Sequence, residues 1–147
     1  MLDHAGIAAR LPHAGRMCLL DRLLHWDSRS VRCSAVSHRD ADNPLRETGG
    51  LATLAAIEYA AQAAALHGSL VRDDLRPRNG VLAALKNVNA TRKWLHELTD
   101  EIIVEATLLH SDPAGGIFEF AVFAGTECVL RGQFTLMYTD QVLEASV

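Results

Sequence analysis

The sequence has little of what marks a nucleic-acid-binding, metal-binding or secreted protein. Aromatic residues make up 5% of its 147 residues, and its net charge of −4 gives no general attraction for nucleic acid or an anionic membrane. It has three cysteines, Cys18, Cys33 and Cys128, which are odd in number, far apart and outside any metal-binding spacing. We therefore expect small buried core residues in a reducing compartment, and no metal site.

The sequence also lacks an apolar leader. Asp3, His4 and Arg10 stand where a signal peptide would need an apolar run, so we expect a cytoplasmic protein without membrane insertion. No repeat, low-complexity segment or linker interrupts the chain. A single domain over residues 1–147 is the simplest interpretation, because this length supplies enough mass for a core.

The most prominent feature that is present is one long apolar segment, Leu51–His67. It contains no proline or glycine and is rich in Ala and Leu, which predicts a helix that Gly68 ends. Apolar residues on every side of this helix predict that protein encloses it. Glu58 and Gln62 are four residues apart and share one face. A carboxylate inside such a helix is costly unless it is paired or used in chemistry.

Segments with strand character lie on both sides of this helix. Met17–Trp26 and Val31–Val36 precede it, followed by a polar loop, His38–Gly50. After it come four segments with strand patterns: Val81–Leu85, Ile102–Leu109, Ile117–Phe123 and Cys128–Tyr138. Two strands, a buried helix and four strands predict an α+β domain with one sheet around one helix. Such a sheet has open edges, so we expect dimerisation.

Two short motifs follow one another in the chain. Leu11–Arg22 has the sequence LPHAGRMCLLDR, and Ile57–Gln62 has the sequence IEYAAQ. Together they resemble the opening and central-helix signatures of the hotdog-fold 3-hydroxyacyl-carrier-protein dehydratases. The closest resemblance is to a divergent branch of that family from aryl-polyene and related lipid-like pathways. The resemblance spans most of the chain and implies a hotdog fold, one antiparallel sheet wrapped around a long central helix.

The resemblance implies elimination of water from a 3-hydroxyacyl thioester to leave a trans-2-enoyl thioester. The chemistry requires a base for the C2 proton, an acid for the departing hydroxyl and donors for the thioester oxygen. In the family the acid is the helix carboxylate of the partner subunit, which matches Glu58. Gln62 would orient it, and Gly50 would let the thioester approach the backbone at the helix start. No cofactor is implied, since the substrate is carried on phosphopantetheine.

The usual base of the family is missing from this sequence. In the family it is the His of a Gly-His-Phe-Pro loop, and the corresponding residue here is Pro44. His13 in the opening motif is our candidate replacement, and the alternative is that it anchors the N-terminal segment. We expect His38 to be a solvated loop residue and His67 to serve the helix dipole or solvent.

A basic segment follows the helix. Between residues 72 and 93 the chain has six basic residues against two acidic ones. This excess could steer an acidic acyl carrier protein or the phosphates of coenzyme A. The candidates for this docking role are Arg78, Lys86, Arg92 and Lys93. A solvated loop is the alternative, and nucleic acid is not expected because the segment lacks interleaved aromatic residues.

Three functions remain open at this point. The first is a dehydratase with His13 as base and Glu58 as acid across a dimer interface, in a homodimer or a heterodimer with a paralogue. The second is a hotdog thioesterase, in which the helix carboxylate activates water. The third is a non-catalytic partner subunit that supports an active paralogue, which the loss of the loop His at Pro44 favours.

Overall fold

The computed structural model describes residues 1–12 and 17–139, so His13 lies outside the described residues. The described chain forms two helices, α1 and α2, six strands, β1 to β6, and two short 3-10 turns. In chain order the elements are α1 (His4–Ala8), β1 (Arg22–Trp26), β2 (Ser30–Ala35), a 3-10 turn (Ser37–Arg39), a second one (Thr53–Ala55), α2 (Ala56–Arg72), β3 (Gly80–Ala90), β4 (Ile102–Asp112), β5 (Gly115–Ala124) and β6 (Glu127–Tyr138).

The six strands form one antiparallel sheet in the order β1-β2-β4-β5-β6-β3, and α2 packs against it. In the first half of β4, Ile102, Val104 and Ala106 are buried and alternate with half-buried residues, as a period of two predicts. The helix contributes small residues to this contact: Ala56, Ala60, Ala63 and Ala64 are fully buried. The predicted α+β hotdog architecture is confirmed.

The ends of the central helix differ from the prediction. The α-helix begins at Ala56 and not at Leu51, whose N–H donates to Nδ1 of His96 at 3.0 Å. It continues through Gly68 to Arg72, and Asp73 with a φ of 53° forms the left-handed end. Gly68 is therefore not the cap. A Cβ at Gly68 would lie 2.7 Å from the hydroxyl of Tyr138, so the glycine makes room for that ring.

The two edge strands also differ in length from the prediction. β1 starts only at Arg22, because the backbone of Leu19 bonds the side chains of Gln62 and Ser37 and not a neighbouring strand. β3 is longer than predicted and lies at the other edge of the sheet, where it pairs only with β6. Val81 and Leu85 on β3 are about half exposed, at 51% and 52%. A long edge strand with exposed apolar residues is open to pairing with a second chain.

The cysteines lie mostly inside the fold. Cys18 and Cys33 are buried and Cys128 is half-buried, and all three are free thiols. Burial raises the pKa of Cys33 to about 12, which keeps it a neutral core residue. Within residues 1–12 and 17–139, no helix has the length and apolar character of a membrane span, and no group of side chains forms a metal site.

Two histidines are buried, although we expected His38 in solvent and His67 to serve the helix dipole or solvent. His38 lies in the first 3-10 turn and its Nε2 donates to the carbonyl of Leu98 at 3.0 Å. His67 faces the sheet, and its Nε2 donates to the carbonyl of Asp27 at 2.9 Å. Burial lowers the pKa of both imidazoles below the ordinary value of 6.5. The expectations for His38 and His67 were wrong, because tertiary packing and not local sequence decides their exposure.

Acidification should therefore destabilise the fold. The unfolded chain binds protons at both histidines below about pH 6.5, and the folded chain resists protonation until a lower pH. The contribution to stability is complete above about pH 6.5. It falls as the pH drops from there to the lower pKa of the folded state, by at most about 1.4 kcal/mol per pH unit for each histidine. Urea unfolding at about pH 7.5 and 5.5 measures the difference. His67→Gln should lose less stability between the two pH values than the wild type, and equal losses would contradict the assignment.

Candidate active site

A cavity of about 430 Å³ lies beside one face of α2. Four helix residues at helical spacing line it: Glu58, Ala61, Gln62 and Ala65. The opposite wall includes Arg78, the first residues of β3 and the end of β6. Because the two alanines are small, space for a ligand extends along the helix from the carboxylate.

Glu58 lies in the first turn of α2 and is exposed at this cavity. It makes no hydrogen bond or ion pair within the described residues. The expectation that protein encloses the carboxylate is therefore wrong for a single subunit. The helix face that carries Glu58 is the one that the sheet of its own chain leaves uncovered.

Gln62 is buried one turn further along the helix. Its Oε1 accepts from the N–H of Leu19 at 2.9 Å, and its Nε2 donates to the carbonyl of Met17 at 2.6 Å. The side chain therefore holds the middle of the opening motif against the helix. The described contacts of Gln62 go to backbone groups, and its orienting role toward Glu58 stays a prediction.

Removing the Gln62 amide should destabilise the protein. Gln62→Leu deletes both hydrogen bonds and leaves the buried N–H of Leu19 without an acceptor, which should cost about 2–4 kcal/mol. Chemical denaturation measures the change in the free energy of unfolding. Ala65→Ser on the same helix face removes no backbone contact and should change stability by less than about 1 kcal/mol. Equal stability of the Leu variant and the wild type would contradict this role.

The described residues on both sides of His13 lie near this cavity. Pro12, the residue before His13, lines the cavity together with Glu58. Met17 is the first described residue after His13, and its carbonyl binds Gln62. The described chain thus leaves the cavity wall at Pro12 and returns beside the same helix face at Met17.

Pro44, which replaces the loop His of the family, lies in a separate polar hollow of about 350 Å³ that does not include Glu58. The residue before it, Asn43, is buried and donates from Nδ2 to the hydroxyl of Tyr59 at 3.0 Å and to the carbonyl of Ser37 at 2.9 Å. Tyr59 is fully buried, as expected for a packing residue. The altered loop is thus held in place by a structural anchor.

Gly50 does not line the cavity. Its φ is +129°, and the ring of His96 occupies the space that a Cβ would need, so packing alone requires glycine there. It lies six residues before α2 begins. The N–H groups of Ala55 and Ala56 already bond carbonyls within the 3-10 turn. The role of Gly50 in thioester approach stays a prediction.

The four basic docking candidates lie in different surroundings. Arg78 is in the cavity wall, with Cζ 3.8 Å from the ring centre of Tyr138. The guanidinium of Arg92 pairs with both carboxylate oxygens of Glu127 at 2.8 Å, which balances its charge. Lys93 stands 5.4 Å above the ring of Trp94. Lys86 lies on the edge strand β3, opposite Gln133 of β6.

Sequence reasoning missed Tyr138, which lines the cavity from the end of β6. Its only sequence signal was an aromatic residue at the end of an alternating strand, which does not reveal what the ring contacts. The structure brings together Glu58, Gln62 and Arg78, and it adds Tyr138 to them. Gly50, Lys86, Arg92 and Lys93 do not line this cavity.

Comparison with known proteins gives one family. The sequence model of the ApeP-like family, described as ApeP dehydratase, matches residues 5–146. No curated protein matches the sequence.

Solved structures share the fold. The dehydratase heterocomplex ApeI:P from Xenorhabdus doucetiae superposes with a TM-score of 0.81 at 20% identity, over 99% of this chain and 97% of that chain. A hypothetical thioesterase with coenzyme A from Streptococcus pneumoniae has a TM-score of 0.57 at 12% identity, over 80% of this chain and 84% of that chain. A mutant thioesterase from Pseudomonas aeruginosa has a TM-score of 0.54 at 15% identity, over 80% and 79%. At these identities the likeness establishes the fold alone.

Proposed function

The chain belongs to the ApeP-like dehydratase family, and we propose on this basis that it dehydrates a 3-hydroxyacyl thioester on a carrier protein to the trans-2-enoyl thioester. The reaction belongs to fatty-acid or polyene-like biosynthesis in the cytoplasm. The observation that supports the proposal best is the position of Glu58, an exposed carboxylate at a cavity whose wall includes the residue before His13.

In the proposed mechanism two residues move protons. We take both from one subunit and not from opposite sides of a dimer interface, because Pro12 lines the same cavity as Glu58. His13 takes a proton from C2 of the substrate, and Glu58 gives a proton to the departing 3-hydroxyl, so that water leaves and the C2–C3 double bond forms. The small residues Ala61 and Ala65 leave space for the acyl chain beside the helix. Gln62 keeps the segment that follows His13 against the same helix face.

A partner subunit completes the site in this proposal. Val81 and Leu82 of the edge strand β3 line the cavity, so a second chain that pairs with β3 would also cover Glu58. The partner is a second copy or a paralogue, and the ApeI:P structure is an example of a dehydratase heterocomplex. The substrate arrives on acyl carrier protein or coenzyme A, with Arg78, Lys86, Arg92 and Lys93 as candidate docking residues.

Pro44 supports a second candidate function. Because the usual His is absent from that loop and Asn43 is held by Tyr59, the second candidate is a non-catalytic subunit that supports an active paralogue in a heterodimer. A hotdog thioesterase is the other alternative, in which Glu58 would activate water against the thioester.

One assay separates these functions. The protein is incubated with a 3-hydroxyacyl thioester on a carrier protein, alone and with a hotdog paralogue from the same genome, and the products are separated by mass spectrometry. Enoyl thioester from the protein alone supports the dehydratase. Free acid supports the thioesterase. The subunit role is supported if the protein alone gives no product and the mixture dehydrates the substrate faster than the paralogue by itself.

A further inference from the structure

A second cavity of about 320 Å³ lies further along the same helix. Its wall includes the apolar side chains of Val71, Leu108 and Phe118 beside the charged side chains of Arg72, Arg78 and Asp112. The His67 ring, which also lines it, is kept neutral because burial lowers its pKa. The apolar part of this wall can receive the end of an acyl chain.

Among residues 1–12 and 17–139, Arg78 and Tyr138 are the two that line both cavities. Tyr138 is held from both sides: its hydroxyl accepts from the guanidinium of Arg72 at 3.0 Å, and the guanidinium of Arg78 stacks 3.8 Å from the ring centre. The hydroxyl occupies the niche that Gly68 leaves open, where a Cβ would lie 2.7 Å away. The Tyr138 ring, with the guanidinium of Arg78 stacked on it, is thus the partition that the two cavities share.

The partition stands at a defined distance from the proposed chemistry. Glu58 and Gly68 are ten residues apart on one helix, which corresponds to about 15 Å. An acyl chain that starts at Glu58 and follows Ala61 and Ala65 therefore meets the Tyr138 ring before it reaches the second cavity.

We propose that Tyr138 sets the acyl chain length that the site accepts. The second cavity becomes open to the acyl chain only when the Tyr138 ring is removed. The inference rests on the proposed function, because it names the residue that limits the substrate of the same site. Each methylene buried in the first cavity should raise affinity by about fourfold. Methylenes beyond the partition should not raise the affinity further. In a plot of log affinity against chain length, the slope should therefore fall to zero at that length, which we call the break.

The test measures binding and not turnover. The ligands are saturated 3-hydroxyacyl pantetheine amides of increasing chain length, in which an amide replaces the reactive thioester. They are titrated calorimetrically into the full-length protein in its native oligomeric form. Tyr138→Ala should move the break to chains at least two carbons longer and bind the longest ligands about tenfold more tightly than the wild type. If the alanine variant does not fold, Tyr138→Leu replaces it and should move the break in the same direction.

Three matched variants sharpen the result. Tyr138→Phe keeps the ring and should leave the break unchanged. Val71→Trp fills only the second cavity, so it should not affect the wild type but should reverse the gain in Tyr138→Ala. A break at the same length in a folded Tyr138→Ala protein, or an equal shift in Tyr138→Phe, overturns the inference.

The proposed function is judged by the thioester assay. A shifted break without enoyl product refutes the dehydratase but retains the partition. Enoyl product together with an unshifted break supports the dehydratase and refutes the role of Tyr138 as a partition. Absence of binding at every chain length overturns both.

Discussion

Replacing Glu58 with Gln should lower kcat/KM for dehydration by about 10²–10⁴-fold, with the fold and the oligomeric state unchanged. Glutamine has nearly the same shape but cannot transfer a proton to the departing hydroxyl. The fold should tolerate the change, because Glu58 is exposed in the subunit and makes no hydrogen bond or ion pair within the described residues. Rates are measured with a 3-hydroxyacyl carrier thioester, and thermal unfolding and sedimentation monitor the protein.

A second carboxylate provides the control for this variant. Glu119 on β5 is exposed and lines no part of the cavity that contains Glu58. Glu119→Gln should retain full activity. If Glu58→Gln keeps more than half of the wild-type rate, the acid lies elsewhere. If it lowers the melting temperature sharply, the carboxylate serves structure and not catalysis.

The sequence predicted the helix and the sheet because both repeat in the local pattern. Apolar residues on every side of residues 51–67 predicted a helix enclosed by protein. The alternation of apolar and polar residues along Ile102–Leu109 predicted a half-buried strand. The ends of the helix could not be predicted in this way. They depend on His96 beside Leu51 and on Tyr138 above Gly68, and both partners are remote in the chain.

The candidate site was predictable only in part, for the same reason. Helical spacing placed Glu58 and Gln62 on one face, and both line the cavity. That Gln62 binds the backbone of Met17 could not be deduced from spacing, since 45 residues separate the two. The exposure of Glu58 was also not predictable, because it depends on which helix face the sheet of the same chain leaves open.

His13 carries the other large prediction. Its replacement by Gln should lower kcat/KM by about 10²–10⁴-fold if it removes the C2 proton. His13 lies outside the described residues, but Pro12 lines the cavity with Glu58 and Met17 is bound to Gln62. A histidine base must be unprotonated to act, so the wild-type rate should fall at acid pH. The variant should lose that acid limb as well as the rate.

His4 provides the matched control, because it stands in a second His-Ala-Gly sequence of the same N-terminal region. Its Nδ1 donates to the carbonyl of Leu20 at 2.9 Å, which is a structural contact. His4→Gln should therefore retain the rate and the acid limb. If His13→Gln also retains both in a complex that Glu58→Gln inactivates, the base comes from the partner subunit. Pro44 would then mark this chain as the subunit that supplies only the acid.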